Sequence, residues 1–158
     1  MSAPKALFVS SNRIGDCVIS SGVIREIARQ LPGVQITVAC GRPPAPFFRS
    51  APNVERVIIL DKKKAAGHWV DLWKQVRGAK WDLVVDIRGS ALAWLIPAKR
   101  RIGYDKSRSK DLHGLFINER IPDRPGIHVL DAIGSFCEPL GLKQTEVSWD
   151  LATPPEAH

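Results

Sequence analysis

The residues best suited to do chemistry follow the first apolar run. Leu7-Phe8-Val9 passes into Ser10-Ser11-Asn12-Arg13-Ile14-Gly15-Asp16, and a helical pattern begins at once. This reads as a strand, a tight turn and a helix start. It places the Asp16 carboxylate at the carboxyl edge of a first strand, where open α/β sheets hold their ligands. A carboxylate is ionised at neutral pH, so Asp16 could take the proton of a substrate hydroxyl as that oxygen attacks. A short acidic residue just before a helix also serves as an N-cap for free backbone N–H groups. Spacing alone leaves both roles open. Gly15 most simply permits a tight turn or close backbone approach.

A similar set follows a later apolar run: Asp86-Ile87-Arg88-Gly89-Ser90. Arg88 and Ser90 would line the same crevice as Asp16. Equally, Arg88 could pair with Asp86, and Ser90 could cap the next helix. Two basic clusters stand out, Lys62-Lys63-Lys64 and the stretch 99–110, in which six of twelve residues are basic. Arg makes bidentate phosphate contacts and Lys acts as a point charge. The alternative is a solvated basic face. With 23 Lys+Arg against 16 Asp+Glu, the formal net charge is +7, which favours an anionic partner.

Several chemistries are argued against. The first turn offers Gly15 and Gly22 but no G-x-G-x-x-G, and no G-x-x-x-x-G-K-[ST] occurs, so the dinucleotide and P-loop signatures are missing. His68, His113 and His128 are too scattered for a metal motif, although His128 could face the crevice or order its loop. Cys17, Cys40 and Cys137 are widely separated and form no C-x-x-C pair, so they read as buried free thiols in a reducing compartment.

The elements that must position these groups alternate along the chain. Strands are expected at residues 5–10, 34–39, 56–60, 83–87, 101–104 and 114–119. Helices are expected at 16–31, ended by Pro32-Gly33, at 66–78, and from Ala91 to Ala98, ended by Pro97. A last helix carries Leu130, Ile133, Cys137 and Leu140. A Pro-rich turn at Pro43, Pro44 and Pro46 leads into a short segment ending at Pro52. Trp69 and Trp73 fall at helical spacing and read as core rather than as stacking platforms. Such alternation means βαβ units, a parallel sheet and helices on both faces. At 158 residues, 44% hydrophobic and 25% charged, the chain suits one globular domain. No apolar run approaches the roughly 18 residues a membrane span needs. Met1-Ser2-Ala3-Pro4-Lys5 runs directly into the first strand, so no signal peptide is expected.

The ordered set Asn12-Arg13-Ile14-Gly15-Asp16, Val54-Glu55-Arg56-Val57, 81–90, Arg100-Arg101-Ile102-Gly103-Tyr104 and His128 resembles glycosyltransferase family 9, over residues 5–150. That family includes the ADP-heptose:lipopolysaccharide heptosyltransferases. The resemblance implies a Rossmann-like three-layer α/β sandwich with a mostly parallel sheet, the N-terminal half of a GT-B glycosyltransferase. Residues 1–150 would be the acceptor-binding domain and 151–158 the start of an interdomain linker. The donor-binding C-terminal domain would be absent, and with it the nucleotide-sugar site.

The resemblance further implies an inverting transfer, with Asp16 as the base and no metal or bound cofactor. Asn12, Arg13 and Gly15 would border the acceptor. Lys62, Lys63 and Lys64 would hold its negatively charged inner core, joined by Arg88, Ser90, Arg101, Arg108 and His128. The expected partners are a phosphorylated lipid A or inner-core acceptor, the second domain, and a membrane surface touched without being spanned. The expected location is the cytoplasm, peripheral at the inner membrane, and the isolated chain is expected to be inactive. Two other readings stand beside this one: a free-standing Rossmann-like module that binds an anionic ligand without catalysis, and a basic nucleic-acid binder. The latter is weakened because no RNP or helix-turn-helix pattern occurs.

Overall fold

A computed structural model describes residues 2–10, 13–61, 67–87, 96–104 and 119–121. The elements are β1 (Lys5–Val9), α1 (Ile14–Gln30), β2 (Gln35–Cys40), α2 (Ala45–Arg49), β3 (Val54–Ile59), α3 (Gly67–Val76), β4 (Trp81–Asp86), β5 (Ala98–Tyr104) and β6 (Glu119–Ile121). The strands form one six-stranded sheet in the order β3-β2-β1-β4-β5-β6. Every pairing is parallel. The expected Rossmann-like sandwich is therefore present, with β1 at its centre.

The apolar runs explain the layers. A parallel sheet is covered on both faces, so its strands are apolar nearly throughout. In β1, Ala6 and Phe8 join Val23, Ile24 and Ile27 of α1 and Phe48 of α2 on one face. Leu7 and Val9 join Leu72 and Val76 of α3 on the other. Trp69 and Trp73 pack partly buried against this second layer, as expected of core residues. Trp81 donates its indole N–H to the Val76 carbonyl at 2.9 Å, satisfying one of the carbonyls left open at the end of α3.

Two turns are visible in the sequence. Gly33 has φ 77, and the Val34 amide donates to the Leu31 carbonyl at 2.9 Å across Pro32-Gly33. Pro at the second and Gly at the third place of such a turn is the type II pattern. Asn53, with φ 63, enters β3 through the left-handed region that Asn tolerates better than most residues.

Other elements depart from expectation. The segment after the Pro-rich turn contains α2, which inserts fully buried Phe48 into the core. Ala98 does not end a helix: it opens β5, paired with Trp81. That strand starts three residues before the expected 101–104, at Ala98 rather than Arg101. The last described strand begins at Glu119, where the expected 114–119 segment stops. Residues 91–95 and the helix through Leu130 lie outside the described residues.

The carboxyl end of β1 is clamped to α1 by small polar groups. Buried Ser10 places its Oγ 3.3 Å from Cys17 Sγ and 3.3 Å from Ser20 Oγ. Ser20 Oγ also donates to the Cys17 carbonyl at 3.0 Å. Cys17 and Cys40 are free and buried, as expected. Burial pushes the Cys40 thiol up to about 12, with Cys17 adding to the rise and Arg49 opposing it.

Two outcomes follow. Ser10→Ala removes a buried partner of both Cys17 and Ser20 and should cost about 1–2 kcal/mol in urea unfolding; unchanged stability would show the clamp to be idle. An unfolded Cys40 loses its proton near pH 9.0 and the folded one near 12. The folded state thus keeps the proton longer, and stability falls as pH rises through that window. Thermal melts should show a steeper alkaline loss in the wild type than in Cys40→Val, and equal slopes would contradict it.

Candidate functional site

The strand order reverses direction between β1 and β4, so their carboxyl ends flank the crevice where such sheets bind ligands. Val9 and Asp86 are register partners there, and the Ile87 amide donates to the Val9 carbonyl at 3.1 Å. The Ser10 amide reaches the Ala39 carbonyl of β2 at 2.8 Å. The segment leading to Asp16 and the segment leading to Arg88 therefore leave the sheet from adjacent strands.

Arg13, Gly15 and Asp16 come together at the start of α1. Arg13, not Asp16, is the N-cap: its backbone is extended at φ −91 and ψ 131, and its side chain makes no capping bond. The first helical hydrogen bond joins the Cys17 amide to the Arg13 carbonyl at 3.1 Å. Asp16 lies three residues into the helix and is half-buried. The N-cap role left open by the sequence thus falls to another residue. Asp16 sits in the first turn, where the helix dipole favours a negative charge.

Gly15 also departs from the sequence reading. It lies inside α1, not in a tight turn. Among the described residues, no atom comes within 4 Å of where its Cβ would stand. Nothing in this part of the fold requires glycine here, and Gly in a helix costs about 0.5–1 kcal/mol relative to Ala. Among the described residues, nothing fills the space above Gly15 at the start of the helix.

The basic stretch 99–110 divides. The Arg101 guanidinium holds the Ile96 carbonyl through Nε at 3.2 Å and an Nη at 3.0 Å, reaching back toward the amino end of β5. Lys99 pairs with Asp82 at 2.6 Å, and the Lys5 amide donates to the same carboxylate at 3.0 Å. The Lys99 hydrogen bond, helped by the Lys5 amide, holds the Asp82 carboxyl below its ordinary range. Lys99 therefore ties β5 to β4 and Arg101 turns back on the residues that lead into β5, away from the crevice, so the fold does not bring Arg101 to Asp16. Asn12, Lys62, Lys63, Lys64, Arg88, Ser90, Arg108 and His128 lie outside the described residues.

A second concavity of about 380 Å³ lies beyond β3, lined by Leu60, Asp61, His68, Asp71, Lys74 and Gln75 among others. Asp61 is held there by an ion pair with Arg42. These donors and acceptors suit a ligand rich in hydroxyl groups. Among the described residues, no group of three or more His, Cys, Asp or Glu could hold a metal ion.

Two residues matter more than their sequence context suggests. Ser10 and Asp86 are both fully buried at the strand ends that flank the crevice. The signal for Ser10 was its place directly after an apolar run. The signal for Asp86 was a carboxylate closing a strand of otherwise buried type.

No protein-family model matches the chain. It is 32% identical over 155 residues to the lipopolysaccharide core heptosyltransferase OpsX of Haemophilus influenzae, a match covering 95% of this chain and 44% of that protein. The glycosyl transferase family 9 structure from Veillonella parvula superposes with a TM-score of 0.76 at 21% identity, over 94% of this chain and 44% of that one. The E. coli heptosyltransferase WaaC, solved with ADP-2-deoxy-2-fluoro heptose, gives 0.73 at 18% identity, over 94% and 52%. The chain thus spans about half the length of the proteins it matches. By sequence it is a relative of the lipopolysaccharide core heptosyltransferases, and by fold it corresponds to half of a glycosyltransferase family 9 structure.

Proposed function

We propose that this chain is the acceptor-binding half of an inverting glycosyltransferase that acts on a lipopolysaccharide core. One observation carries the reading: Asp16 stands in the first turn of α1, at the carboxyl end of the central strand, in a relative of a core heptosyltransferase. The Asp16 carboxylate accepts the proton of an acceptor hydroxyl. The freed oxygen attacks the anomeric carbon of a nucleotide-sugar, and the nucleoside diphosphate departs with the electron pair of the broken bond. The donor is ADP-heptose, as the ligand solved with WaaC suggests, and it binds on a second domain.

The acceptor is a phosphorylated, lipid-linked saccharide at the inner membrane surface, approached from the cytoplasm. The formal charge of +7 supports an anionic acceptor. Arg13 stands at the N-terminus of α1, an end of the helix that favours phosphate groups. Lys62, Lys63 and Lys64, which follow Asp61 in the sequence, contribute to that charge.

In a two-domain protein carrying this chain, Asp16→Ala should lower kcat by about 10²–10⁴. Calorimetry should show acceptor affinity preserved, and near-normal turnover would overturn the assignment. Gly15→Ala separates ligand from fold. The substitution should stabilise the chain by up to about 1 kcal/mol while raising the KM for the acceptor. A gain in stability with unchanged kinetics would place the acceptor elsewhere.

A further inference from the structure

We infer that Ser10 is a positioning residue for Asp16, acting through a one-way ring of hydrogen bonds that begins and ends on Cys17. This deepens the proposed function and rests on Asp16 as its base. Ser20 Oγ lies 3.0 Å from the Cys17 carbonyl, and a carbonyl only accepts, so the one hydroxyl proton of Ser20 is used there. Ser20 Oγ then meets Ser10 Oγ, 3.3 Å away, as the acceptor. The one proton of Ser10 therefore goes to Ser20, and Ser10 accepts from Cys17, whose Sγ is also 3.3 Å away. The thiol donates to Ser10, Ser10 to Ser20, and Ser20 to the Cys17 carbonyl.

Each link is satisfied only while the other two are. Ser10 and Ser20 are fully buried and Cys17 nearly so, so solvent does not replace a missing partner. Hydrogen bonds that run in one direction also polarise one another. A thiol is a weak donor, and 3.3 Å is long for a bond between two hydroxyls. Direction and enclosure hold the ring, not any single strong contact.

The ring acts at a helix start without a side-chain cap. Arg13, the N-cap, makes no capping bond with its side chain, where such a bond ordinarily steadies the first turn. The Cys17 amide makes the first helical bond, to the Arg13 carbonyl at 3.1 Å. The ring holds the thiol and the carbonyl of the same residue. Ser10 is itself fixed to β2, its amide donating to the Ala39 carbonyl at 2.8 Å. Anchoring thus runs from β2 through Ser10 to Cys17, and Asp16 is the next residue. A reacting group misplaced by about 1 Å can cost about a hundredfold in rate, so a loosened ring acts on turnover and leaves acceptor binding alone.

The test has two parts. In the 158-residue chain, the infrared S–H stretch of Cys17 is assigned by its loss in Cys17→Ser. It should lie below that of a thiol without an acceptor and move up in Ser10→Ala. In a two-domain protein carrying the chain, assayed well below its melting temperature, Ser10→Ala and Cys17→Ala should each lower kcat about tenfold with the acceptor KM unchanged. Cys17→Ser keeps a donor and should stay within about twofold of the wild type. Ser10→Ala combined with Cys17→Ala should lower kcat no further than either alone, since both break one ring. An S–H band that Ser10→Ala leaves in place would overturn the ring. A Cys17→Ser variant as slow as Cys17→Ala would reduce Cys17 to packing and overturn it as well. Asp16→Ala, assayed beside them, separates the failures. Turnover lost there but intact in the ring-breaking variants overturns the positioning role alone, and turnover kept there overturns the proposed function with it.

Discussion

The parallel pairing of β1 with β4 is the constraint on which the site depends. Helices covering both faces leave strand ends as the places where polar groups can gather beside a dry core. β2 continues the sheet on one side of β1 and β4 on the other, so the strand order switches direction here, which is where open α/β sheets form a ligand crevice. The Ile87 amide bonded to the Val9 carbonyl closes the pairing at this point. Asp16 follows closely in the chain on one of these two strands, and Arg88 and Ser90 on the other.

Polar burial is concentrated at this edge. Ser10 and Asp86 are fully enclosed, and Ser10 joins Cys17 and Ser20 beneath the first turns of α1. A buried hydroxyl without partners is costly, so these contacts fix the distance between strand and helix. That distance sets where Asp16 stands. The opposite edge is built differently: Asp82, Lys99 and the Lys5 amide meet at exposed strand starts. One edge is tied by surface charge, the other by buried hydroxyl and thiol groups.

Much of this was legible in the residues themselves. Strands such as Leu83-Val84-Val85 are apolar without interruption because both faces of a parallel sheet are covered, and that run identifies them without any contact information. Pro32-Gly33 announced its turn through backbone sterics alone. β5 was harder. Lys99, Arg100 and Arg101 look like a loop, yet they extend a strand, because Asp82 and the Ile96 carbonyl receive two of their charges. The helix α2 was hidden by its prolines, which are compatible with a first helical turn but more often mark loops.

The amino-acid sequence by itself determined the α/β alternation, the parallel sheet and the placing of Asp16 just past the first strand. These are local consequences of periodicity, turn sterics and apolar run length. Tertiary structure decided which residue caps α1, which way Arg101 turns, and that Gly15 stands within a helix with no described atom near the place of a Cβ. Those depend on how the chain packs: a carbonyl that the β5 entry turns toward a guanidinium, and a strand pairing that brings Val9 to Asp86. No pattern of nearby residues encodes such distances, because they are set by how the sheet assembles.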